Sequence, residues 1–250
     1  MKAVDINCDM GESFGIYTIG NDQKVIHSIT SANIACGFHA GDPATMAETV
    51  RLCIDHHVKI GAHPGLPDLN GFGRRNMQVT PDEAYQLILY QTGALSAFVQ
   101  AYGTRLSHVK PHGALYNEAA RNQSIADAIA KAVADFDPDL TLFALSGSKL
   151  AQAGEQAGLT VAHEVFADRT YRDDGTLTPR REPNALITEE KQAIDQVIQM
   201  VKFQSVTSNT GKTIPIHADT VCIHGDNVQA PDFAHRLNER FQKEGIPLIR

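Results

Sequence analysis

Seven short runs of apolar and β-branched residues recur along the chain, each parted from the next by a longer stretch of helical pattern. This alternation constrains the fold more than any other feature of the sequence. The runs are 3–9 (AVDINCD), 32–37 (ANIACG), 59–63 (KIGAH), 108–112 (HVKPH), 141–146 (TLFALS), 160–167 (TVAHEVFA) and 220–225 (TVCIHG). Strands that alternate with helices form βα units, and βα units in series build a parallel sheet. The expected fold is therefore α/β, a seven-stranded parallel β/α barrel of TIM-like type, although an open doubly wound sheet satisfies the same pattern. Helix starts are legible between the runs. Asp42-Pro43 caps and opens a helix reaching about His57, with proline where its missing N–H costs nothing. Thr80 and Glu83 make a capping box, followed at helical spacing by Leu87, Tyr90, Gln91, Ala94 and Phe98. Thr188 and Asp232 are weaker caps for two later helices.

With 250 residues, 42% of them hydrophobic, the chain can fill a large core, and no composition shift or Pro/Ser-rich linker divides it. One domain over 1–250 is expected. The balance of 22 basic against 29 acidic residues, net −7 and without a basic block, gives nucleic acid no electrostatic footprint and an anionic membrane surface no attraction. Cys8, Cys36, Cys53 and Cys222 are scattered, with no C-x-x-C pair, and three lie in apolar runs where a free thiol acts as a small hydrophobe. Reduced cysteines, no apolar stretch of membrane-spanning length and no signal-peptide core ahead of Asp5 lead us to expect a cytoplasmic protein.

Side chains alternate across a strand, so residues two apart share a face. In the first run Asp5, Asn7 and Asp9 lie on one face, and Val4, Ile6 and Cys8 on the other. If the apolar face meets the helices, the polar face points into the barrel. The same arithmetic groups His108, Lys110 and His112, groups Glu164 with Ala162 and Phe166, groups His224 with Asp226, and adds Asn33 and His63. Barrel interiors are usually filled by branched apolar residues, and catalytic groups sit at the carboxyl ends of strands. Buried charges are costly unless paired or ligating, so this convergence marks a site; a self-satisfied buried ion network is the plainer alternative. His39, His63, His112 and His224 fall at or just beyond strand ends. Three of them, His39, His63 and His112 foremost, have with Asp5 or Asp9 the donor chemistry of a divalent-metal site, its ligands drawn from separate strands because no H-x-x-x-H or H-E-x-x-H pair exists. His27, His56, His57, His108, His163 and His235 read as surface or structural.

Two long segments, 64–80 and 168–187, lack periodicity and read as lids. The first runs from Gly61-Ala62-His63-Pro64-Gly65 to Gly71-Phe72-Gly73-Arg74-Arg75, where glycine N–H groups and paired arginines suit an anion; a solvated surface pair fits equally well. The second carries Asp168-Arg169-Thr170-Tyr171 and Asp173-Asp174-Gly175. Thr210-Gly211-Lys212-Thr213 mimics the tail of a phosphate-binding P-loop, but Val206 stands where the earlier glycine belongs and a helix precedes it, so the motif fails its context.

Several longer segments carry a family resemblance. Asp5-Ile-Asn-Cys-Asp-Met-Gly-Glu-Ser-Phe-Gly15, Ala32-Asn-Ile-Ala-Cys-Gly-Phe-His-Ala-Gly-Asp-Pro43, Gly61-Ala-His-Pro64, Gly71-Phe-Gly-Arg-Arg75, Val109-Lys-Pro-His-Gly-Ala-Leu-Tyr-Asn117, Glu164-Val-Phe-Ala-Asp-Arg-Thr-Tyr171 and Ile223-His-Gly-Asp226 resemble the LamB/YcsF family, in order along the whole chain. One departure is Asn184, where the family pattern has glycine; asparagine tolerates a left-handed backbone. The resemblance implies a barrel related to the polysaccharide-deacetylase-like folds. It also implies one subunit of an ATP-hydrolysing 5-oxoprolinase, which works with subunits B and C to open 5-oxoproline to glutamate. ATP would be a co-substrate shared with those partners, and a homo-oligomer is compatible. On strand geometry, Asp9 or Asp5 is the candidate base toward water, and Lys110 and His112 stabilise developing charge. Arg74 and Arg75 hold the substrate carboxylate, while Asn7, Asn33, His39, His63, Glu164, Arg169 and His224 complete the pocket. A stand-alone metal-dependent amidohydrolase or deacetylase and a non-catalytic scaffold are the alternatives.

Overall fold

The computed structural model describes residues 2–225 and 229–249. Strands β1 (Asp5–Met10), β2 (Ser31–Ala35), β3 (Lys59–His63), β4 (His108–Val109), β5 (Thr141–Leu145) and β6 (Thr160–Phe166) pair in sequence order. A short antiparallel hairpin of β7 (Ser205–Thr207) and β8 (Thr213–Pro215) follows, and β9 (Thr220–Ile223) then closes the barrel between β6 and β1. All seven barrel pairings are parallel. Closure rather than an open sheet is thus the outcome. Helices α1 (Asp22–Val25), α2 (Pro43–Asp55), α3 (Pro81–Ala101), α4 (Gly113–Ala119), α5 (Gln123–Phe136), α6 (Lys149–Gln156), α7 (Glu190–Phe203) and α8 (Ala230–Glu244) occupy the intervals. Among the described residues no helix is long and apolar enough to cross a membrane.

The caps decide where helices begin. Asp42 accepts from Thr45 N at 2.8 Å with Pro43 next, and Thr80 and Glu83 cap each other reciprocally. The helix expected from Thr188 is capped one residue later, by Glu189, and α8 starts at Ala230, leaving Asp232 inside its first turn where a carboxylate favours the helix dipole. The face read for α3 is also offset: Ala84, Ile88, Gln91, Leu95 and Val99 are buried, whereas Tyr90 is 66% exposed. Gln91 belongs inside because its amide accepts from Gly65 N (2.9 Å) and donates to Gly65 O (2.8 Å), satisfying a buried loop backbone.

β4 is shorter than the expected 108–112 because Pro111 has no N–H to donate. Lys110 N and His112 N still donate to Ala62 O (2.9 Å) and Pro64 O (2.8 Å), so the alternation persists past the strand. Val4, just ahead of β1, and Ile6, Cys8 and Met10 on it enter the apolar core beneath the helices; each Val, Ile or Met side chain contributes about 1.5–3 kcal/mol on burial. The alternate residues build a polar interior. At the amino end Asp5 accepts from Thr30 Oγ1 and Ser31 Oγ, each at 2.6 Å, and from Thr220 Oγ1. Above it Asn7 donates to Thr220 Oγ1 (2.7 Å) and accepts from Asn33 Nδ2 (2.7 Å). His108 fills the middle of the barrel, stacked on Phe143 at 4.1 Å, with Nε2 2.8 Å from Asn33 Oδ1 and Nδ1 2.7 Å from Ser107 Oγ. Buried and bonded through both ring nitrogens, it takes the structural place, not the surface one, of the two expected for it.

Both long segments are ordered by their own contacts. In 168–187, bridges pair Arg169 with Leu186 and Tyr171 with Leu177, and Asn184 adopts φ 61°, the left-handed turn that asparagine tolerates. Asp173 accepts from Ser208 Oγ, Thr210 Oγ1 and Lys212 Nζ at 2.6, 2.6 and 2.7 Å. The P-loop-like segment is thus the tip of the β7–β8 hairpin, with Lys212 tethering the loop.

Two outcomes follow from the interior packing. A Cβ on Gly61 would lie 2.1 Å from His108 Nε2, so Gly61→Ala should destabilise by about 1–3 kcal/mol or more, read as a lower denaturant midpoint; an unchanged midpoint refutes the packing. Burial pushes the His108 pKa from 6.5 down to about 3. Across that interval only the unfolded chain takes the proton. The stability His108 contributes is therefore full above pH 6.5 and is lost toward pH 3, at about 1.4 kcal/mol per pH unit. His108→Gln should flatten the pH dependence of the melting temperature there, and parallel profiles for the two proteins contradict it.

Candidate functional site

At the carboxyl ends of the strands the interior chain of polar contacts reaches Lys110. Its ammonium lies 2.9 Å from Asp9 Oδ1, 2.8 Å from Glu164 Oε1, 3.1 Å from Asn7 Oδ1 and 3.1 Å from Cys222 Sγ. Burial alone would lower the lysine pKa. Asp9, Cys222 and Glu164 outweigh it and hold the group well above its ordinary range, so the charge persists. Burial pushes the Asp9 carboxyl up, but His63, whenever its ring is protonated, and the Lys110 ammonium pull it well below the usual range. Tyr116 OH donates to the other Glu164 oxygen at 2.5 Å, and burial together with that carboxylate pushes the phenol pKa well up. Cys222 departs from the reading of cysteine as a plain hydrophobe, since its sulfur accepts from Lys110; burial raises its pKa and it stays a thiol.

Beside this ion cluster stands a group of imidazoles. His39 stacks on His112 with ring centroids 3.7 Å apart, and His63 meets both edge-on. His63 Nδ1 is 2.7 Å from Lys110 O, and His112 Nε2 is 2.8 Å from Phe72 O. Carbonyl oxygens only accept, so those two nitrogens carry the protons. Neutral imidazole has one donor and one lone pair, which leaves His63 Nε2 and His112 Nδ1 as lone pairs facing each other at 2.9 Å. Two facing lone pairs repel unless a proton or a cation lies between them. Burial drives the pKa of both His112 and His39 well below 6.5, which disfavours the proton. His39 is fully buried; among the described residues neither ring nitrogen has a hydrogen-bond partner, and Nε2 lies 3.6 Å from Glu12 Oε1. Glu12, His39, His63 and His112 each present one donor atom, all within 4.8 Å of one another. This set is able to hold a metal ion, and its outer nitrogens bonded to backbone carbonyls are the usual orienting contacts of metal-bound histidine. Asp9, Cys222 and His224 form a second cluster of the same span, but there Lys110 already supplies the positive charge.

The structure brings Asn7, Asp9, Asn33, His39, His63, Lys110, His112 and Glu164 together as the strand pattern required. Other expected site residues are placed differently. Asp5 sits at the amino end of the barrel with its oxygens taken by three hydroxyls, so it is a structural anion and not a base. His112 turns its lone pair, not an N–H, toward the site, so as a neutral ring it accepts there and cannot stabilise an oxyanion. Arg75 is ion-paired with Asp68 and 63% exposed, away from the imidazoles. Arg169 donates to Thr178 O at 2.6 Å and Ala185 O at 3.4 Å, pinning its own loop. Asp226, grouped with His224 by the sequence, lies outside the described residues.

The glycines of 61–73 also serve packing rather than an anion cradle. At Gly73, with φ +60°, a Cβ would fall 2.8 Å from both His39 Cβ and His112 Cδ2. His224 sits at the rim: Nδ1 is 3.0 Å from both oxygens of Asp168, and Nε2 accepts from Arg180 Nη2 at 2.8 Å. Burial would raise the Asp168 pKa, but His224, Arg180 and Arg169 pull it down to about 2. Glu12, Tyr116, Asp168, Cys222 and Arg180 were missed as site residues. Glu12 escaped because period-two reading ends with the strand, and Gly11, at φ 65°, then turns the chain so that Glu12 points back inside.

Comparison with known proteins places this arrangement. The LamB/YcsF family model matches residues 4–250. A protein of Brevibacillus brevis, named as the A subunit of 5-oxoprolinase, is 57% identical over 248 residues, covering 99% of this chain and 98% of that one. A protein of the same name from Bacillus subtilis is 58% identical over 246 residues, covering 98% and 96%. Among solved structures, a lactam utilization protein from Thermus thermophilus superposes with a TM-score of 0.93 at 44% identity, covering 99% of both chains. With its full length matched, its barrel shared and its motifs in order, this chain belongs to the LamB/YcsF family.

Proposed function

We propose that the chain is the A subunit of a cytoplasmic ATP-dependent 5-oxoprolinase, which acts with partner subunits B and C to convert 5-oxo-L-proline to L-glutamate. The observation that carries this reading is the end-to-end similarity to relatives that bear the name of that A subunit; the barrel mouth supplies the chemistry. A γ-lactam is a stabilised amide, so its carbonyl must be activated. In the proposed route the γ-phosphoryl group of ATP passes to the lactam oxygen, releasing ADP. Water adds to the activated carbon and the ring C–N bond breaks, its electrons going to nitrogen, which takes up a proton. A second water cleaves the resulting acyl phosphate to glutamate and phosphate. The P-loop-like segment 210–213 is spent on Asp173, which fits a nucleotide site shared with the partners.

Lys110 is a fixed positive charge beneath the mouth, and its field favours an oxygen on which negative charge develops. Asp9 Oδ1 holds that ammonium, while Oδ2, 3.4 Å from His63 Nε2, faces the imidazoles. Asp9 Oδ2 orients the attacking water, and the proton passes to Oδ2 or to His63 Nε2. Asn7 and Asn33 keep the Asp9–Lys110 pair in register. Glu12, His39, His63 and His112 would hold a divalent cation, which would supply Lewis acidity for a carbonyl or for water. Asp9, outside that set, would remain the base.

Asp9→Asn in the enzyme reconstituted with its partner subunits should lower ATP-coupled glutamate formation by about 10²-fold or more; a wild-type rate removes Asp9 from the mechanism. The metal is tested on the purified chain by elemental analysis and melting temperature. Zinc or manganese should raise the wild-type melting temperature and leave His39→Ala unmoved, and equal responses count against the site. Amide hydrolysis by the chain alone, without ATP and abolished by chelator, would instead establish a self-sufficient metal-dependent amidohydrolase.

A further inference from the structure

We propose that Arg180, carried by the loop 168–187, is the residue that recognises the substrate carboxylate, an inference that rests on the ring-opening reading above. The floor of the site holds three buried carboxyl side chains, Asp9, Glu12 and Glu164, and the Lys110 ammonium, which Asp9 and Glu164 already pair. A lactam that carries a carboxylate must turn that group away from the floor and toward the rim, leaving its ring carbonyl for Lys110. Cationic groups at the rim come from the two long loops. Arg74, from 64–80, lies with its guanidinium carbon 4.8 Å from the ring centroid of Phe72, whose ring packs perpendicular to those of His39 and His112. Arg75, the partner suggested by the sequence, is committed to Asp68.

Arg180 approaches from the opposite loop. Its Nη2 lies 2.8 Å from His224 Nε2, and His224 presents a ring nitrogen within 4.8 Å of an Asp9 carboxylate oxygen. The guanidinium therefore stands one imidazole away from the reacting centre. Its position is set from behind. A guanidinium can only donate, so His224 Nε2 is the lone pair and Nδ1–H donates to Asp168. Asp168, His224 and Arg180 are thus a directed chain that fixes the ring and the arginine together. The loop is preformed as well: Arg169 pins the carbonyls of Thr178 and Ala185, and Thr170 Oγ1 bonds Thr178 Oγ1 at 2.8 Å. A planar fork held in this way suits a carboxylate bidentately, which lysine cannot reproduce.

The test compares 5-oxoproline with 2-pyrrolidinone, the same ring without the carboxylate. Binding to the purified full chain is measured by calorimetry, and turnover of 5-oxoproline by the enzyme reconstituted with its partners. Arg180→Ala should weaken 5-oxoproline binding and raise its KM roughly 10–100-fold with a much smaller change in kcat, and discrimination between the two ligands should collapse. Arg180→Lys should recover part of it. Discrimination that survives Arg180→Ala, or a loss of kcat alone, overturns the assignment. If wild type binds 5-oxoproline through Arg180 yet the reconstituted enzyme forms no glutamate, the ring-opening reading falls and the carboxylate assignment stands.

Discussion

The ammonium of Lys110, which stands just beyond one strand, is enclosed by groups from three others, and the arrangement of the mouth depends on it. Asp9 and Asn7 reach it from β1, Glu164 from β6 and Cys222 from β9, while Lys110 itself extends β4. Removing a charge from water costs several kcal/mol, and a buried pair repays this only with good geometry and further hydrogen bonds. Here Asn33 and Tyr116 each add a hydrogen bond to one of the carboxylates that face the lysine. Such a network adds little net stability over an apolar core. Its effect is positional: a barrel of other register would leave one of these charges buried alone.

That network also orients the imidazoles. The carbonyl of Lys110 accepts the hydrogen bond of His63 Nδ1–H, so the residue that anchors the ion cluster also decides which way the His63 lone pair faces. Phe72, in the loop 64–80, does the same for His112. Ion chemistry and imidazole chemistry thus share one scaffold, with backbone rather than side-chain acceptors choosing the tautomers. Gly73 allows this, because a side chain there would strike both His39 and His112.

Several parts of the site were readable from local pattern. Period-two counting put Asp9, Lys110 and Glu164 on inward faces because alternation depends only on extended backbone. The counting held past β4 despite Pro111, since the neighbouring carbonyls kept the chain in register. It misjudged Asp5, because facing inward does not tell which end of the barrel a residue occupies or which hydroxyls wait there. His112 was placed correctly and its role misread, because the tautomer is set by Phe72, forty residues away. Glu12 and Arg180 lay beyond strand ends, where no periodicity applies.

By itself, the sequence determined the seven βα repeats, the capped starts of α2 and α3 and the inward polar faces of the strands. Each of these follows from dihedral preferences and hydrogen bonds spanning a few residues. Only the tertiary structure decided that the sheet closes, that Asp5 is silenced while Asp9 meets Lys110, and that Arg180 rather than Arg75 reaches the rim. Those outcomes turn on contacts between groups far apart in the chain, whose energies depend on distance and burial in space, quantities that local spacing does not carry.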